Sequence, residues 1–267
     1  MKVLAVAISA LVLPAVAAAD TASGWAGIPE AEVRLIAGAG APDGQPWLAL
    51  EFAMAPGWKV YWRNPGDAGL PPVPDWSAST GVSIGEIAWP RPERIVSYGM
   101  ETFVYHDHVV LPVRAERPAG DGPATVRLAL TYGACEEVCV PVDATLELPL
   151  PAGPLTANRH GADIAAAMKS VPTAAPGILA DAPRLGPDGS VTFTLAPARP
   201  VSDPEAIVEG PAEAVFSRPA CVADGARLAC VTRMSSRLPR ESLVGRPMTI
   251  TLYGRDGAAE TTTRLSQ

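Results

Sequence analysis

Short runs in which every second residue is apolar recur along the chain, each closed by a turn rich in proline or glycine. No other feature limits the fold as tightly. EVRLIAG (32–38) alternates, PWLALEFAMAP (46–56) sets Leu48, Leu50, Phe52 and Met54 on one face, and WKVYWR (58–63) follows Pro56-Gly57. VSIGEIAW (82–89), HVVLPVRA (108–115), ATVRLALTYG (124–133) and ATLELPL (144–150) continue the pattern. A period of two belongs to strands with one buried and one wet face, and a series of them without helices between is the signature of an antiparallel sandwich. A thioredoxin fold needs helices packed on its sheet and a C-x-x-C motif, and neither is present before residue 150.

The aromatic residues divide the chain. All six tryptophans (25, 47, 58, 62, 76 and 89) lie in the first third, and only Phe193, Phe216 and Tyr253 follow residue 150. One core is not filled so unevenly, so the reading is two domains. LPLPAGPLTANRHG (148–161) marks the boundary, and a helical pattern runs from about Asn158 to Ser170 until Val171-Pro172 closes it. Alternation returns in SVTFTLAP (190–197), AIVEGPAEAVFS (206–217), ARLACVTR (226–233) and PMTITLYG (247–254). The expected fold is all-β: an immunoglobulin-like antiparallel sandwich at 20–152, a linker with a short helix at 153–172, and a second, smaller β-sandwich-like domain at 173–267.

Residues 1–19 read as a secretory signal peptide. Lys2 supplies the positive charge, Val3–Val16 the short apolar core, and Ala17-Ala18-Ala19 the cleavage site. No run reaches the roughly 20 apolar residues of a spanning helix, so the expected product is exported, with a periplasmic location. Acidic residues outnumber basic ones 28 to 21 and no basic patch stands out, which argues against nucleic acid or anionic membrane as partner.

Export makes the four cysteines candidates for disulfides. Cys135 and Cys139 flank Glu136-Glu137-Val138 between two strand patterns, a setting in which a bridge forms easily. Three readings compete: a redox-active pair, a structural staple, and a metal clip in which two thiolates join His106 and His108, placed on one face of a VYHDHVV strand, to hold copper. The two glutamates disfavour a thiolate, so a low-pKa attacking nucleophile is not evident, whereas a disulfide attacked by another protein's thiolate needs none. Cys221 and Cys230 sit in PACVADGARLACV; with Gly225-Ala226 as the loop they stand directly opposite each other, as a structural disulfide would. RNPGDAGLPP (63–72) reads as loop architecture in which Arg63 and Asp67 orient a partner or form a local pair. His160 reads as solvated.

GWKVYWRNPGDAGLPPVPDW (57–76), SYGMETFVYHDHVVLPV (97–113) and YGACEEVCVP (132–141), in this order, resemble the amino-terminal periplasmic domain of the DsbD/ScsB thiol–disulfide interchange (protein-disulfide reductase) family, and more closely its ScsB-like branch. The resemblance covers about residues 25–150, with a weaker likeness of 155–267 to the second β domain of longer members. It implies that Cys135 and Cys139 are the catalytic pair, relaying electrons without a cofactor from a membrane-embedded donor to periplasmic thioredoxin-fold clients. It also implies a cap loop at Val96, Ser97, Tyr98 and Gly99, with Tyr98 as the lid. The membrane and thioredoxin domains of full-length members have no counterpart in this sequence, so a separately encoded membrane reductase is the expected donor. The association of the ScsB branch with copper tolerance keeps copper binding or a pure interaction role as the alternative.

Overall fold

In the computed structural model, the residues described are 21–39, 47–117, 122–155, 157–211, 214–236, 238–255 and 257–267; residues 1–19, read from sequence as a signal peptide, lie outside them. Alternation becomes strand throughout the first part of the chain. The strands are β1 (Ala26–Ile28), β2 (Ala31–Gly38), β3 (Trp47–Met54), β4 (Lys59–Gly66), β5 (Val73–Asp75), β6 (Ser83–Ile87), β7 (Glu93–Ser97), β8 (Met100–His106), β9 (His108–Glu116), β10 (Ala124–Cys135) and β11 (Cys139–Leu150). They form two sheets, ordered β1-β2-β3-β9-β6 and β11-β10-β4-β8-β7, with β5 added beside β10. All of their pairings are antiparallel. The inward-pointing residues of both sheets make one core, in which Trp62 and Tyr132 are fully buried. Trp62 meets Phe103 edge-on, and Phe52 meets Tyr132 edge-on, a geometry favoured by the ring quadrupoles. This is a sandwich of the immunoglobulin-like kind.

The chain changes sheets between His106 and His108. Within VYHDHVV, Asp107 adopts a left-handed φ of 57° and turns a corner between β8 in one sheet and β9 in the other. Aspartate tolerates that conformation better than most residues. The expectation of a single strand presenting His106 and His108 on one face is therefore corrected.

Helix α1 (Arg159–Met168) begins at Asn158, whose side chain accepts from the Gly161 N–H at 2.8 Å, satisfying one of the unpaired donors of the first turn. Its Ile164 packs with Ile36, Ala49 and Val110 on the outer face of the first sheet. His160, read from sequence as solvated, is only 3% exposed. Burial, joined by the positive charges of Arg159 and Arg34, holds its imidazole pKa below the ordinary histidine value.

The second domain holds β12 (Thr173–Ala174), β13 (Arg184–Leu185), β14 (Ser190–Leu195), β15 (Glu205–Glu209), β16 (Ala214–Phe216), β17 (Ala220–Asp224), β18 (Arg227–Ser236), β19 (Pro247–Gly254) and β20 (Gly257–Arg264). One sheet runs β12-β20-β19-β15 and the other β13-β14-β18-β16, with β17 also on β18. Their core is made of smaller side chains around Phe193, Leu195, Ile250 and Leu252. Ile207 and Tyr253 leave that core and bury themselves against the first domain. Three arginines of the first domain reach three glutamates of the second. Arg63 is bidentate on Glu209 (2.9 and 2.6 Å) and also binds Glu260. Arg94 and Arg91 both hold Glu205, at 2.6 and 2.9 Å.

Candidate functional site

The site grows from the longest hairpin of the molecule. β10 and β11 pair without interruption from Ala124↔Leu150 to Cys135↔Cys139, where the ladder ends. The loop left over is Glu136-Glu137-Val138, so the two cysteines stand opposite each other with Cα atoms 4.1 Å apart and form a disulfide. Period-two geometry then decides what surrounds it. Cys135 is opposite Lys59 on β4, and Lys59 is opposite His106 on β8. Cys139, Cys135, Lys59 and His106 therefore form one cross-strand row on the outer face of the second sheet.

The two sulfurs have unlike surroundings. Cys135 is 1% exposed and packs with Tyr61, Val104 and Ile95. Cys139 is exposed. Tyr61, two residues from Lys59 and so on the same face, packs against Cys135. Its hydroxyl lies 3.3 Å from Cys139 Sγ. Burial pushes the phenol pKa up, so the group stays protonated near neutrality and donates its proton toward sulfur. Lys59 Nζ donates to the Glu136 carbonyl at 2.6 Å, tying β4 to the hairpin tip. His106 Nδ1 is 3.0 Å from Glu93 Oε2.

The loop after β4 braces this arrangement. Gly133 N–H donates to Leu70 O at 3.0 Å, and a Cβ at Gly133 would stand 2.8 Å from that of Leu70. Gly69, at φ 129°, lies so close under the Tyr61 ring that a Cβ there would overlap it. Asp67 is anchored on Glu101 by two backbone-directed bonds of 2.8 and 2.7 Å. The segment read from sequence as loop architecture thus fixes the tyrosine, while Arg63 clamps the second domain. Around the disulfide Leu70, Val73, Val138 and Val140 are exposed apolar residues, with Glu136 and Glu137 exposed among them.

Val96, Ser97, Tyr98 and Gly99 form the turn of the β7–β8 hairpin. Tyr98 (φ 52°) and Gly99 (φ 78°) occupy its left-handed positions, and Tyr98 is 89% exposed. Ser97 pairs with Met100, at the end of β8 remote from His106. About 20 Å of strand lies between that turn and the cross-strand row of the disulfide. Val96 and Gly99 instead line a cleft of about 440 Å³ shared with Val215, Ser217 and Arg218 of the second domain. The segment that packs on Tyr61 and Gly133 is 69–70.

Cys221 and Cys230 form the second disulfide, directly opposite each other with Gly225-Ala226 as the loop. Cys230 is buried in the second core. The copper set is not assembled: His108 sits on the other sheet with Nε2 2.9 Å from Glu51 Oε1. Among the described residues no group of three or more His, Cys, Asp or Glu is gathered to hold a metal ion. Sequence reasoning did not single out Lys59 or Tyr61. Their signal was the alternation in WKVYWR, which sends Val60 and Trp62 inward and leaves Lys59 and Tyr61 on the cysteine face.

Residues 29–151 match the family model described as thiol:disulfide interchange protein DsbD, N-terminal, and residues 170–267 match a domain of unknown function, DUF8393. Among solved structures, the chain is similar to the N-terminal periplasmic domain of ScsB from Proteus mirabilis. The TM-score is 0.72 at 22% identity, over 93% of this chain and 100% of that one. No curated protein matches the sequence.

Proposed function

Because residues 29–151 are a domain of the DsbD amino-terminal family, we propose that the chain is a periplasmic thiol–disulfide interchange protein working through Cys135 and Cys139. Its electrons come from a membrane-embedded donor and go to thioredoxin-fold clients. The unequal exposure of the two cysteines carries the reading. A donor thiolate attacks Sγ of the exposed residue Cys139, a new S–S bond forms between donor and Cys139, and the Cys135–Cys139 bond breaks with Cys135 leaving as thiolate. The donor's second thiolate then attacks its own sulfur in that mixed disulfide and releases Cys139. The dithiol passes the electron pair on in the reverse sense: Cys139 attacks the client disulfide, and Cys135 displaces the reduced client. Tyr61 supports the role of Cys139, because a neutral O–H 3.3 Å from the sulfur favours its thiolate over its thiol. Among the described residues no helix is long and apolar enough to cross a membrane.

The test is trapping. Cys135→Ser leaves Cys139 able to form a mixed disulfide that no internal thiol can resolve, and periplasmic extracts should show it joined covalently to partners. Cys139→Ser, with only buried Cys135, should trap far less. Equal absence of adducts from both variants, with the wild-type pair fully oxidised at all times, would overturn the relay.

A further inference from the structure

The step in which Cys135 leaves raises a problem that the fold itself answers. Cys135 is 1% exposed and lined by Tyr61, Val104 and Ile95. Thiolate in such a setting is disfavoured, because burial penalises the charged form. A buried leaving group of this kind needs a nearby cation, and Lys59 is the lysine of the cross-strand row. It is the residue directly opposite Cys135, and directly opposed side chains stand about 5 Å apart at Cβ. Its ammonium is held over the hairpin by the 2.6 Å bond to the carbonyl of Glu136, the residue after Cys135.

We propose that Lys59 is a positioning residue for disulfide exchange: it stabilises the Cys135 thiolate as the Cys135–Cys139 bond breaks, and its hydrogen bond keeps the hairpin tip in register while the bridge is open. The role rests on the reading above, in which Cys139 is the sulfur attacked. The other groups facing Cys135 do not supply the charge. From β4 comes the neutral Tyr61 hydroxyl, directed at Cys139. From β8 comes His106, one strand beyond Lys59 and bonded to Glu93 of β7. From the hairpin come Glu136 and Glu137, whose charge opposes a thiolate.

The full chain carrying Cys139→Ser has Cys135 as its one free thiol, since Cys221 and Cys230 are bonded to each other. Its thiolate is titrated by absorbance at the thiolate band and by alkylation rate against pH, with Lys59 retained, with Lys59→Met and with Lys59→Arg. Lys59→Met should raise the midpoint by about one pH unit, Lys59→Arg should return most of that shift, and high salt should shrink the difference. A second measurement leaves both cysteines in place. Reduction of the intact disulfide by a small monothiol should slow about three- to tenfold in Lys59→Met, because a less acidic thiol is a poorer leaving group. An unmoved midpoint, an arginine variant that behaves like methionine, or an unchanged reduction rate overturns the role. No client is involved in either assay. A pair that proves idle in the periplasm while Lys59 still shifts the titration would sink the relay alone.

Discussion

Replacing Arg63 by methionine removes the cation that two carboxylates of the second domain share. Glu209 and Glu260 have side chains only 13% and 26% exposed, and Arg63 itself is 25% exposed. Breaking a fully buried pair costs about 3–5 kcal/mol, whereas exposed pairs contribute at most about 1. Partial access of water places Arg63→Met at about 2–3 kcal/mol, or about 4–10 °C in melting temperature for a chain of this size. The loss should fall mainly on the contact between domains, so calorimetry should show the two domains melting further apart. Glu209 adds a pH signature. Burial pushes its carboxyl pKa up, against the pull of Arg63, and the charge of Glu260 pushes the same way. A raised carboxyl pKa contributes stability at low pH that is lost as pH rises through the folded value. The deficit of Arg63→Met should therefore be largest at pH 7.5 and shrink near pH 5. Adding Glu209→Gln should restore about half of it. A variant within 1 °C of wild type at pH 7.5, or a deficit that grows on acidification, would refute the clamp.

Other outcomes are as direct. Burial works to raise the Glu205 carboxyl pKa, but Arg94 and Arg91 outweigh it and hold the value below the usual carboxylate range. Its stabilisation is present above about pH 4.5 and lost as pH falls through the folded value, so Arg94→Met should flatten the acid limb of the pH–stability curve. Tyr61→Phe should leave the melting temperature within a few degrees while raising the Cys139 thiolate midpoint in the Cys135→Ser background by about half a pH unit. Gly69→Ala should reproduce that shift by pushing the Tyr61 ring, with a further stability loss of about 1–3 kcal/mol from overlap, read by urea unfolding. Asn158→Ala removes the helix cap and should cost about 1 kcal/mol.

Much of the fold is visible in the sequence because its determinants are local. A period of two reports a half-buried strand wherever it occurs, and Asp224-Gly225 marks the turn that sets Cys221 opposite Cys230. The helical pattern from about Asn158 locates the start of α1 to within a residue. Corners and registers are less visible. VYHDHVV reads as one strand only while the backbone is taken as extended throughout; the left-handed angle at Asp107 separates β8 from β9 and takes His108 away from His106. The position of Tyr98 depends on the β7–β8 register, in which the turn falls at the end of β8 away from the cysteines. Lys59 and Tyr61 join the site through a two-pair ladder between β4 and β10 whose partners are far apart in sequence. Arg63 and Glu209, 146 residues apart, leave no mark on each other's surroundings in sequence. His160 looks polar and solvated until the helix carrying it docks on the sheet.

The reduction potential of Cys135–Cys139, measured in thiol redox buffers with each disulfide followed separately by mass spectrometry, tests the central claim most directly. A relay pair with one exposed cysteine should titrate in the range of working dithiols, about −180 to −270 mV, while Cys221–Cys230 stays oxidised until below about −300 mV. A Cys135–Cys139 bridge that also resists reduction to below about −300 mV would be a staple, and the chain would not be a relay.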